Sequence, residues 1–332
     1  VEFALQIAHY YQCLKGRPGR HKLIGQLRSY HGATIATVSL GGHPVHRERL
    51  RPYLLPFPHL EATPAEGADP ERFAASLDRL IRREGPETVC GLMVEPIGGT
   101  TSGAIVPPPG WWEAAQEVCR SHEVLLIADE VVTGFGRTGR PFGVQHWGVE
   151  PDLMVTSKSI SSGYAPLAAV IIHDRIADEV QAAEQRLPLR LTYSGNPVAC
   201  AAGLAVQRRI QREGLIDRCN RVGTHLGDLL ASLAERLPLL GPPRGRGLLL
   251  GLPVWKDPAA MLPFGRAERV QERIVAAALR NGLILVGGTG TDRSSDGDHL
   301  LLSPPFTISE GECDLLVEGL EAALAEVGSE VL

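Results

Sequence analysis

Four short apolar runs punctuate the first half of the chain, and each ends in a polar, glycine-rich or proline-containing turn. They are KLIGQLRSYHG from Lys22 to Gly32, VCGLMVEPIGG from Val89 to Gly99, VLLIADEVVTGFG from Val124 to Gly136, and LMVTSKSISSG from Leu153 to Gly163. Runs of this length, bounded by turn residues, predict buried strands. Between them the period changes to that of a helix. DPERFAASLDRLIRREG places Phe73, Leu77, Leu80 and Ile81 on one stripe, and GWWEAAQEVCRSHE is a second helical stretch. Continuous apolar strands alternating with helices imply an α/β fold, with a mostly parallel sheet sandwiched by helices. Ligands of such sheets bind beyond the carboxyl ends of the strands. That rule collects Tyr30, Glu95, Asp129 and Lys158 at one rim.

The pattern continues differently in the second half. PLAAVIIH predicts another strand, and TYSGNPVACAAGLAVQRRIQREG opens a long helix, with Asn196 as its N-cap and Pro197 as its first residue. Helical text runs on through LGDLLASLAERL. GRGLLLGLPV and GLILVGG then read as strands, with the amphipathic ERVQERIVAAALRNG between them and a closing helix in SEGECDLLVEGLEAALAEVG. The expected organisation is a large domain over residues 1–209 and a smaller C-terminal α/β domain over 210–332. At the other end, Val1, Ala4, Leu5 and Ala8 fall at helical spacing and Lys15-Gly16 reads as a helix stop. A chain that begins inside a helix, without methionine or a signal-peptide pattern, leads us to expect an N-terminally incomplete large domain.

Composition narrows the function classes. The 332 residues are 44% hydrophobic and 21% charged, with a formal charge of −5. These are globular values, without the basic surplus that nucleic acid demands. No apolar run approaches the roughly 18 residues of a membrane span. Six cysteines lack the spacing of a zinc site or a disulfide framework, so no metal is expected and a reduced, cytoplasmic setting is. Among the 33 basic residues only Lys15, Lys22, Lys158 and Lys256 are lysines. Arginine is permanently charged, whereas a lysine amine can be deprotonated and attack a carbonyl.

Asp129 directly follows the buried run VLLIA, and Lys158 has the same strand-end position one segment later. Taken singly, the aspartate can be a helix cap or a structural ion-pair partner, and the lysine a solvated charge. Together they match the needs of an aldehyde cofactor such as pyridoxal 5′-phosphate. It requires a lysine for covalent attachment and a carboxylate that keeps the pyridine nitrogen protonated.

Three ordered blocks, LIADEVVTGFGRTG, PDLMVTSKSISSGYAPLAAV and TYSGNPVACAAG, together with SYHG and VEPIGG, resemble the class III pyridoxal-phosphate aminotransferases over essentially the whole chain. The resemblance implies the fold of type I pyridoxal-phosphate enzymes and a homodimer. It implies that Lys158 forms the Schiff base and shuttles the substrate proton, and that Asp129 pairs with the ring nitrogen. Tyr30 and Val131 would pack on the two faces of the ring, and Thr192 would reach the cofactor phosphate of the neighbouring subunit. Glu95 either pairs with a substrate-gripping arginine or simply holds its loop. His31 belongs to the cofactor site as a structural member of the Tyr-His-Gly turn. Glu130 receives no chemistry, and Arg137 reads as loop architecture.

Two departures qualify the resemblance. The family's first phosphate-binding turn would lie just before Val1. Ornithine-type members also carry an arginine three residues before a Pro-Pro pair, where GDHLLLSPPF has Leu301; Arg293, a few residues earlier, is the candidate to grip a substrate carboxylate instead. The expected reaction moves an amino group from an amine or ω-amino acid to a 2-oxo acid such as pyruvate. A decarboxylase or aminomutase using the same attachment, or an inactive binding module, remains open on these residues, because pocket geometry selects the bond broken.

Overall fold

The apolar runs form strands where buried side chains alternate across the sheet. In the computed structural model, which describes residues 1–62, 69–183, 191–289 and 297–331, the chain divides into two compact units. The first comprises Val1–Pro96, Pro107–Phe135 and Phe142–Arg212; the second comprises Ile97–Val106, Gly136–Pro141 and Glu213–Leu332.

The first unit is built on a six-stranded sheet. Its strands are β1 (Lys22–Gln26), β2 (His59–Leu60), β3 (Val89–Val94), β4 (Leu125–Asp129), β5 (Leu153–Thr156) and β6 (Ala169–Ile172), in the order β2-β1-β3-β4-β5-β6. The first five are parallel and β6 runs antiparallel to β5. Every residue of β3 and β4 is buried. On one face Leu126 and Ala128 pack with Leu77, Leu80, Ile81, Trp111 and Trp112. On the other, Leu125 and Ile127 pack with Ala4, Ile7 and Ala8 of the helix Glu2–Leu14. Successive residues of a strand face opposite sides, so Asp129 continues the second row. The helix Pro70–Glu84 starts as its sequence dictates: Asp69 accepts a hydrogen bond from the Glu71 amide at 2.9 Å, Pro70 takes the first position, and Gly85 ends it at a φ of 84°.

Asn196 caps the helix Pro197–Arg212 through Oδ1, which accepts from the Ala199 amide at 3.0 Å. The long helix read from the sequence is interrupted beyond Arg212. Gly214 adopts a φ of 58°, and a second helix runs over Leu215–Arg236. An apolar period carried across both pieces hid the break, which is made by one left-handed residue.

The second unit holds an antiparallel sheet of β7 (Arg244–Arg246), β8 (Leu249–Val254), β9 (Val286–Thr289) and β10 (Asp298–Leu302), ordered β7-β8-β10-β9. Leu226, Leu230, Leu252, Ile274, Leu300 and Leu320 form its core with the helices Leu215–Arg236, Val270–Arg280 and Glu310–Val331. Two short segments from the first half of the chain belong here. Arg244 donates to the carbonyls of Gly103 (2.7 Å) and Ser102 (2.8 Å), and a Cβ on Gly251 would lie 2.1 Å from the Gly103 oxygen.

Candidate active site

Because β1, β3, β4 and β5 run parallel, the residues that follow them emerge at one edge of the sheet: Tyr30 and His31 after β1, Glu95 after β3, Asp129 at the end of β4, and Lys158 two residues beyond β5. The β4–β5 register pairs Asp129 with Val155, and the Glu130 amide extends that ladder to the Val155 carbonyl at 2.8 Å.

Asp129 is 4% exposed. Its Oδ2 lies 2.7 Å from His31 Nδ1, and its Oδ1 accepts from the Val131 amide at 3.1 Å. A carboxylate only accepts, so His31 carries the proton on Nδ1. The imidazole is buried, and its Nε2 has no partner among the described residues. Gly32 lets the chain turn directly after it: φ is 134°, and a Cβ there would sit 2.8 Å from Thr37 Oγ1. The sequence marks His31 as structural; its contact with an aspartate 98 residues away is what local reading misses.

Lys158 differs from every other lysine of the chain. Lys15 pairs with Glu179 at 2.7 Å, Lys22 with Glu84 at 3.2 Å and Lys256 with Glu268 at 3.8 Å. The Lys158 ammonium has no ion-pair partner among the described residues and is exposed, at the start of a turn in which its own φ is 42°. A side-chain-bearing residue in the left-handed region is strained, and such strain gathers at functional sites.

The other sequence candidates fall as follows. Tyr30 is 40% exposed, and its ring meets His46 edge-on at 5.5 Å; His46 in turn packs on His43 at 4.6 Å. His46 lies in the short helix Pro44–Leu50 and His43 is its N-cap residue. Val131 is half-buried beside Asp129, and Glu95 is half-buried after β3. Thr192 stands in an exposed turn with Leu191 and Tyr193. Arg293 lies outside the described residues. Arg137 is architectural: its Nη1 donates to the carbonyls of Leu248 (3.0 Å) and Pro304 (2.7 Å), and its guanidinium covers the Phe306 ring at 4.5 Å. Burial pushes its pKa down from the ordinary arginine value. Leu301, in β10, is buried and apolar.

The family model for class-III aminotransferases matches residues 1–324. This chain belongs to that family. A diaminobutyrate–2-oxoglutarate transaminase of Halomonas elongata is 38% identical over 98% of the chain and 71% of its own length. A transaminase from the marine bacterium Virgibacillus superposes with a TM-score of 0.94 at 32% identity, covering 100% of this chain and 73% of its own. An (S)-enantioselective omega-transaminase from Thermomicrobium roseum gives 0.88 at 39% identity, over 98% and 72%. The aminotransferase is therefore an amino-group-transferring enzyme of the type I pyridoxal-phosphate fold, and pyridoxal 5′-phosphate is its cofactor.

The residues present fit that cofactor. Asp129 has both oxygens engaged, yet a carboxylate offers about four acceptor positions, which leaves room for a protonated ring nitrogen. Among the described residues no group of three His, Cys, Asp or Glu side chains is arranged to hold a metal, and no helix is long and apolar enough to cross a membrane.

Proposed function

We infer that the aminotransferase takes its amino group from an amine or ω-amino acid and delivers it to a 2-oxo acid such as pyruvate, with Lys158 as the lysine that holds the cofactor. The observation that carries this reading is Lys158 itself: an exposed amine with no ion-pair partner among the described residues, in a strained turn one strand from the buried Asp129.

When bound, the cofactor supplies an electron sink for negative charge at the substrate Cα. The chain's own residues divide the remaining work. Lys158 would hold the cofactor through its amine and, once released by the substrate amine, would carry the proton from the substrate Cα to the cofactor's C4′ carbon. Asp129, oriented by His31 and the Val131 amide, would hold the proton on the ring nitrogen, without which the sink is weak. Tyr30 and Val131 would pack on the two faces of the ring, and Glu95 would order the loop after β3.

A second copy of the chain would complete the site with Thr192, directed at the neighbour's phosphate. The exposed apolar surface around that turn, with Leu191, Tyr193 and Val198, supports a homodimer. Leu301 offers no guanidinium where ornithine-type members carry one, which favours amines and ω-amino acids over substrates gripped at that position; Arg293 is the candidate carboxylate ligand.

Borohydride reduction of the cofactor-loaded protein, followed by peptide mass analysis, tests the assignment. The label should fall on Lys158, and Lys158→Ala should lose both the label and the conversion of pyruvate to alanine with an amine donor. A label retained by Lys158→Ala would overturn it.

A further inference from the structure

Glu130, the neighbour of Asp129, is completely buried and has been given no task. Asp129 and Glu130 point to opposite faces of the sheet, as consecutive strand residues do. Every polar group of Glu130 is engaged. Its amide donates to Val155 and its carbonyl accepts from Gly134 at 2.9 Å. Its carboxylate collects three donors: Oε2 accepts from Thr133 Oγ1 at 2.5 Å and from the Gly143 amide at 2.8 Å, and Oε1 from the Val144 amide at 2.9 Å. Burial pushes its pKa up, and the Thr133, Val144 and Gly143 donors oppose that.

These bonds join two places where the chain is otherwise apart. The first unit is left after Phe135 and rejoined at Phe142, whose rings meet at 5.5 Å. The fit at the junction is tight, since a Cβ on Gly143 would lie 2.8 Å from Pro96 Cβ and 2.9 Å from Thr133 Cβ. Between the Glu130 carbonyl and this junction lies Val131, whose amide is the second hydrogen-bond donor to Asp129.

We propose that Glu130 is a positioning residue for the transamination site: by clamping Thr133, Gly143 and Val144 it fixes the peptide that presents the Val131 amide to Asp129, and so sets how Asp129 meets the cofactor's ring nitrogen. The proposal rests on the reading of Asp129 given above. A glutamine cannot replace the carboxylate here. Its amide nitrogen is a donor, and whichever way it is turned at least one of the Gly143 and Val144 amides faces another donor.

The test uses the cofactor-loaded enzyme with 15N in the pyridine ring, and follows the nitrogen chemical shift alongside the single-turnover rate with an amine donor. Glu130→Gln should move the nitrogen signal from the protonated toward the neutral position and slow the turnover by roughly tenfold to a hundredfold, the range expected for a misplaced reacting group. Thr133→Val should shift both in the same direction by less, and Thr133→Ser, which keeps the hydroxyl, should rescue them. If Glu130→Gln does not fold, the Thr133 pair decides. A wild-type nitrogen signal and rate in Glu130→Gln, or in Thr133→Val where that variant decides, overturns the proposal provided Asp129→Asn collapses both. If Asp129→Asn leaves both unchanged, the reading of Asp129 has failed first.

Discussion

His59 is a neutral imidazole by construction of its surroundings, and this gives the first unit an acid-sensitive edge. The ring sits on β2 with Nε2 3.1 Å from the Leu40 carbonyl, 3.2 Å from that of Gly41 and 3.2 Å from Arg47 Nη1. Burial and the Arg47 charge push its pKa from the ordinary 6.5 down to about 4, against the pull of the Gly41, Leu40 and Phe57 carbonyls. An unfolded chain takes up a proton at this ring as the pH falls through 6.5, whereas the folded chain refuses it until about 4. Its contribution is thus complete above the unfolded value and disappears as acid is added across that window. At about 1.4 kcal/mol per tenfold change in proton concentration, the upper limit is about 3 kcal/mol. The ring is not fully enclosed, and solvent screening reduces the expectation to about 2 kcal/mol. His43, whose pKa is also lowered by burial and by His46, adds a term of the same sign. Asp78 acts elsewhere: the Arg82 and His122 hydrogen bonds hold it at about 2, so its contribution fails only in stronger acid. Urea unfolding at a series of pH values is the assay. His59→Gln, whose amide oxygen can accept from Arg47 while its nitrogen donates to a carbonyl, should cost stability at neutral pH but flatten the slope between 6.5 and about 4. The same slope in both proteins would refute the reasoning. The segment affected is the one that carries Tyr30 and His31, so acid should also weaken cofactor retention.

His31→Ala removes a donor to a buried carboxylate and leaves space in a packed face. About 2 kcal/mol for the bond and about 1 for the void predict a loss near 3 kcal/mol in urea unfolding, with weaker binding in a cofactor fluorescence titration. Asn196→Ala deletes the cap of the helix Pro197–Arg212 and should cost about 1 kcal/mol by the same unfolding assay.

Much of the first unit is legible in the sequence, because its strands are continuous apolar runs whose ends are written in charged and small residues. VLLIAD becomes β4 with Asp129 at its end, and NPVACAAG becomes a capped helix, since both signals are local. Lys158 stands out by the scarcity of lysine and by its strand-end position one segment after Asp129. What escaped notice depends on partners far along the chain. His31 touches Asp129 across 98 residues, and nothing in SYHG indicates the bond. Glu130 gathers amides from a segment reached only after an excursion of the chain, so its sequence context suggested no task. Ile97–Val106 and Gly136–Pro141 were assigned by sequence order to the large domain, whereas the Arg244 bonds tie the first of them to the second unit. Arg293, the candidate carboxylate ligand, lies outside the described residues.

The left-handed backbone at Lys158 sets foldability against chemistry at a single residue. A glycine there would relieve roughly 1 kcal/mol of strain, and an alanine, which keeps its Cβ, would not. A chain selected only for stability would drift toward glycine at this position, as such positions generally permit. That it carries one of the four lysines instead is a cost that the role proposed for its amine would account for.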